Sequence, residues 1–178
     1  DVLTFNGTKI VLSAPSSSVS QIDDLSDAVT FGTSYYIGIS AGSVATTTTT
    51  GNDGKNIGIG QEALTAVTES TNNIAIGHQA LKTITTSLGY NVAIGSHSGY
   101  NNTSGESNTF IGHSSGNRNT VDSYNTALGA LSLLTNVGGS NVAIGYEAFR
   151  CAGQANNTGW AAPSGNVTNS IAIGSQAG

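Results

Sequence analysis

The chain predicts an all-β fold, a parallel β-roll or β-solenoid of about eight coils of 16–18 residues, and three observations carry that prediction. A unit reading roughly Asn-Ile-Ala-Ile-Gly recurs with Asn56, Asn73, Asn91, Asn108, Asn125 and Asn141 at its head, and once more led by Ser170. The glycines closing these units, Gly60, Gly77, Gly95, Gly112, Gly129, Gly145 and Gly174, follow one another at 17, 18, 17, 17, 16 and 29 residues. Finally, 8% of the chain is charged, against about 25% in an ordinary domain, yet Ile and Val return on schedule, which a disordered chain lacks. Self-similarity at a fixed period marks a unit that cannot bury its own apolar face and stacks on its neighbours.

Residues 1–34 stand outside the repeat. Val2-Leu3-Thr4-Phe5 and Lys9-Ile10-Val11-Leu12 flank Asn6-Gly7, the dipeptide that suits a tight β-hairpin turn. Ala14 to Ser18 reads as a linker, and Gln21 to Val29, with three Asp residues, reads equally as a helical turn or an extended strap. From residue 35 to 178 the chain is coils, beginning with a degenerate copy at Tyr36-Ile37-Gly38-Ile39-Ser40-Ala41.

Within a unit, pairs such as Ile57 and Ile59, Ile74 and Ile76, or Val92 and Ile94 alternate around a small residue, Gly58, Ala75 or Ala93. Alternation at period two puts each pair on one strand face and the small residue on the other. The expectation is that the Ile, Val and Leu columns fill each coil, with Leu64, Leu81, Leu133 and Phe149 as further inward groups. The small residues then let neighbouring chains approach. Seventeen residues accommodate two strands of about five residues and two turns; at about 4.8 Å per coil the stack is on the order of 35–40 Å long. The Asn residues are expected to form a ladder, and the outer turns Thr83 to Thr86 and Asn101 to Ser104 to face solvent.

The formal net charge is −5 with five basic residues, too few to neutralise a run of phosphates, so nucleic acid and anionic membranes are excluded as expected partners. No apolar run approaches the ~20 residues of a membrane span, and no secretory signal is visible. The lack of any Met is read as an excised piece of a longer polypeptide. Cys151 is the one cysteine and is expected to be a small packed residue.

The Asn-(Ile/Val)-Ala-Ile-Gly unit resembles the head repeat of the YadA-like trimeric autotransporter adhesins, a unit found also in shafts of phage and algal-virus tail fibres. The resemblance runs from Tyr36 onward. It implies a left-handed β-roll, a homotrimer packed about a common axis and an extracellular location. The coils here are longer than the adhesin type, and the segment from Leu25 to Gly38 is more similar to viral fibres. The expected function is therefore a structural segment of a virus tail fibre, a rigid spacer contributing to host-surface glycan attachment. The alternative is the head of a bacterial adhesin binding host matrix or glycans.

Catalytic motifs fail on context. Gly58-Ile59-Gly60-Gln61-Glu62-Ala63 matches a dinucleotide fingerprint, but a new strand at Asn73 arrives where a helix is required. Gly112-His113-Ser114-Ser115-Gly116 matches the hydrolase pentapeptide, yet no His follows Ser114 in the chain. Glu62 and Glu147 share a repeat position five coils apart, too far for a glycosidase pair. His78 and His113 share a position two coils apart with His97 offset by one, which argues against one metal ion. Only Thr109 and Thr126 are seen in register, too few for an ice-binding array. No catalytic residue, metal or cofactor is expected. The 29-residue step leaves an insertion loop at about 150–169 that carries Asn156, Asn157, Thr158 and the one Trp, Trp160. A Trp ring beside amides and a hydroxyl suits sugar stacking, so these four are the expected ligand-binding residues.

Overall fold

A computed structural model of the chain describes residues 2–5, 8–11, 28–31, 34–42, 54–85, 88–134, 138–150 and 168–178. Strands β1 (Val2–Phe5) and β2 (Thr8–Val11) pair antiparallel, Phe5 opposite Thr8, the hairpin expected around Asn6-Gly7. The remaining strands are β3 (Ala28–Phe31), β4 (Ser34–Ile37), β5 (Ile57–Ile59), β6 (Ile74–Ile76), β7 (Val92–Ile94), β8 (Thr109–Ile111), β9 (Thr126–Leu128), β10 (Val142–Ile144) and β11 (Ile171–Ile173). They form one sheet in chain order from β3 to β11. The eight strands from β4 to β11 are parallel and in register, a β-solenoid, and no helix occurs among the described residues. β3 runs antiparallel to β4, which resolves the end of the ambiguous N-terminal strap as a strand. Each coil contributes one strand of three or four residues instead of the two of five expected; turns make up the rest.

The closing glycines have two independent reasons. Gly77 sits at φ 133°, a region open to glycine and hardly to L side chains, and a Cβ there would fall 2.6 Å from the Gly95 carbonyl of the next coil. The stack leaves no space between consecutive turns at this corner.

The expected direction of the alternation is reversed. Ala75, Ala93, Ala127 and Ala143 are fully buried, whereas Ile57, Ile59, Ile94 and Leu128 are exposed. The coil is too thin to hold branched side chains from both walls. Leu64, Leu81 and Leu133, fully buried on the opposite wall, occupy the depth, and only a methyl fits beneath them. These leucines hold φ of 53°, 45° and 48°, a left-handed conformation that costs an L residue on the order of 1 kcal/mol and that burial of a Leu, worth about 1.5–3 kcal/mol, offsets.

Where the strand residue is large, the opposite wall gives way. Phe110 replaces Ala in β8 and is fully buried. In its own coil and the preceding one, Gly116 and Gly99 stand at the Leu position, both at φ 59°, and a Cβ at Gly99 would lie 2.9 Å from the Phe110 ring. Likewise Gly42, at the Leu position of the Tyr36 coil, holds φ 59°, and a Cβ there would lie 2.6 Å from the Tyr36 ring, while Gly58, paired with Tyr36 on the adjacent strand, clears the ring on its own wall. In both coils a large strand residue meets a glycine at the position that Leu64, Leu81 and Leu133 fill elsewhere.

Buried asparagines tie the layers together. The side-chain Oδ1 of Asn56, Asn73, Asn91, Asn108, Asn125 and Asn141 accepts the backbone N–H at the head of the next unit, at 2.9–3.1 Å. The ladder is thus mainly side chain to backbone; amide-to-amide bonds join Asn73 to Asn56 and Asn91 to Asn73. Two outer-turn residues expected in solvent are buried: Ile84, and Asn102, which bonds to the N–H and C=O of Gly105.

Candidate functional surface

The reversed alternation creates the most unusual feature of the molecule. Along the sheet, one outward column reads Tyr35, Ile57, Ile74, Val92, Thr109, Thr126, Val142, Ile171, and its neighbour Ile37, Ile59, Ile76, Ile94, Ile111, Leu128, Ile144, Ile173. Neither column contains a charged residue. Ile57 and Ile59 are each 39% exposed and Leu128 45%, and exposure rises to 71% at Ile171 on the edge strand. At about 4.8 Å per strand the strip runs on the order of 35 Å. A continuous apolar strip of this kind marks an interaction surface, not an ordinary solvated face.

Polar chemistry gathers at the corner that follows the strands. Gln79 and Lys82 donate to Glu62 Oε2 at 2.7 and 2.5 Å. These two hydrogen bonds, from Lys82 and then Gln79, hold the Glu62 carboxyl below its ordinary range. Glu147 is lowered in the same direction by Tyr146, Gln176 and Arg150, the last donating at 2.7 Å. A glycosidase acid needs a raised pKa and a partner carboxyl within about 10 Å. Both carboxyls are lowered, and the two lie five coils or about 24 Å apart along the stack, too far to pair with each other.

Ser114 and Ser115 of the hydrolase-like pentapeptide lie in a turn, and Ser115 is buried with its hydroxyl donating to the Ala127 carbonyl at 3.0 Å. Gly58 of the dinucleotide-like sequence faces the core beneath Tyr36. Both sequences lie at a strand end and the turn that follows it, with no helix after the glycines among the described residues. His78 and His113 are exposed and His97 is half-buried. His97 stands between the other two, with ring centroids 5.1 Å from His78 and 6.4 Å from His113. No three His, Cys, Asp or Glu side chains among the described residues are placed to hold a metal ion.

A threonine column escaped the sequence reading. Thr68, Thr85 and Thr103 each place a hydroxyl on the carbonyl of the next member, ending at Thr120, at 3.0–3.4 Å. Their spacing of 17, 18 and 17 residues was the available signal. Trp160, Asn156, Asn157 and Thr158, and also Cys151, lie outside the described residues.

Comparison with protein-family models, curated proteins and solved structures found no match. The surface therefore rests on its own geometry. No helix among the described residues is long and apolar enough to cross a membrane.

Proposed function

We propose that the chain is a structural segment of an extracellular fibre, a rigid spacer that assembles as a homotrimer through its outward Ile/Val face. The single observation behind this reading is the uncharged double column from Tyr35 and Ile37 to Ile171 and Ile173, left in solvent by one chain alone. Covering it removes branched aliphatic surface from water at about 25 cal/mol per Å², and a partner carrying the same parallel strip matches it in length and in strand spacing. Three is the number that the resemblance to YadA-like head repeats and tail-fibre shafts implies. The mechanical role agrees with the construction: backbone ladders and Asn bonds run along the stack, and the carboxylates at its corner are tied to neighbouring side chains.

Ile94→Glu tests the surface directly. Ile94 is 36% exposed in the single chain, so the coil tolerates the change, while assembly would bury unpaired carboxylates at a cost of several kcal/mol. Sedimentation velocity should show a folded, slower species for this variant. An unchanged sedimentation coefficient would remove the face from the assembly.

A further inference from the structure

We propose that His78, His97 and His113 form an acid-sensitive seam, at which protonation loosens the contact between three successive coils. The three are all the histidines of the chain, and they fall in the coils of β6, β7 and β8. His78 and His113 occupy one surface column and His97 the adjoining one. Its ring leans between theirs, crossing the His78 plane at 81° and the His113 plane at 78°. The backbone fixes this placement, because the His97 N–H donates to the His78 carbonyl at 2.9 Å.

Of the described groups around the seam, the Glu62 carboxylate attracts a charged His78, whereas the charges acting on His97 are those of His78, His113 and Lys82. From the β6 coil, Lys82 reaches the same site, its Nζ 5.7 Å from the Tyr100 ring centroid. Tyr100, in the His97 coil, lies 5.6 Å from the His97 ring, and the Ser96 hydroxyl meets His97 Nδ1 at 2.9 Å. From the β8 coil come His113 and Asn117, whose amide donates to the His97 carbonyl. Glu62 is the carboxylate of this corner, and it already binds Lys82 and Gln79. Charging the imidazoles therefore sets like charges beside one another and beside Lys82. Burial, and then the charges of His78, His113 and Lys82, hold His97 below the ordinary imidazole value.

The sign follows from linkage. A base whose pKa is depressed by folding adds stability above the unfolded-chain value near 6.5, and that stability is lost as pH falls through the folded value. Histidine is the side chain whose ordinary pKa lies between about 5 and 8, so among the side chains the window selects this cluster, and the His97→Gln comparison cancels what other groups contribute.

The test compares the wild type with His97→Gln at pH 7.5 and 5.5, by thermal unfolding and by amide-exchange protection factors. The wild type should lose midpoint temperature on acidification and show a several-fold fall in protection at β6, β7 and β8, with β10 unchanged. In His97→Gln both effects should shrink by at least half. Equal acid sensitivity in the two proteins, or a wild type indifferent to this pH change, overturns the proposal. Should His97→Gln not fold, the double variant His78→Gln/His113→Gln replaces it, with the same reduction expected and the same refuting result.

Discussion

Replacing Phe110 with Ala, and then restoring the lost volume from the opposite wall, tests the rule by which the coil interior is filled. Phe110 is fully buried and is flanked by Gly99 and Gly116 where other coils carry Leu. Phe110→Ala alone should cost about 3–5 kcal/mol, the usual range for a buried Phe truncated to Ala. Gly116→Leu alone should also destabilise, by about 1–3 kcal/mol or more, because the new Cβ collides with the Phe110 ring. Combined, the two changes recreate the Ala-plus-Leu layer seen at Ala127 and Leu133 in the next coil. Leu133 holds φ 48°, close to the 59° of Gly116, so the backbone already accommodates Leu there. The double variant should therefore be more stable than Phe110→Ala, with a coupling of about 2 kcal/mol or more, within the 0.5–3 kcal/mol known for contacting residues. Urea unfolding of the four proteins at one chain concentration gives the cycle, since assembly makes stability depend on concentration. Additive losses would refute the volume-exchange rule.

Two further outcomes are expected. Asn108→Ala removes the acceptor of the Asn125 N–H and the donor to the Asp122 carbonyl, each at 2.9 Å, and should cost about 1–3 kcal/mol per orphaned group, read by urea unfolding. The sequence-based sugar-binding expectation at Trp160 is tested by a glycan array comparing intact protein with Trp160→Ala: a signal lost in the variant supports it, and equal signals or none from the intact protein remove Trp160 from any sugar contact.

Much of the stack was legible because the period and the closing glycines answer to constraints that recur in every coil. Gly60, Gly77 and Gly95 announce both the turn and the close approach, and the triplets ending at them became β5, β6 and β7. What alternation does not contain is direction. It states that Ile74 and Ala75 point oppositely, and the habit of placing the larger residue inside assigns the wrong face when the coil is one layer deep. The clue lay outside the strand, in Leu64, Leu81 and Leu133, which already claim the interior. Their absence at Gly99 and Gly116 predicts the large residue at Phe110. The histidine seam was hidden for a related reason: His97 is one column away from His78 and His113, and only side-chain lean brings the rings together. Ile84 and Asn102 were read as solvent-facing from the polar residues around them, although the turn folds each one inward.

The assembly claim is tested most directly by the absolute mass of the intact protein in solution, by light scattering coupled to size separation across a range of concentrations. A face of this length and apolarity, covered by copies of itself, predicts three times the 17.8 kDa of one chain. A monodisperse particle of 17.8 kDa, soluble at high concentration with the Ile/Val strip in water, would contradict it.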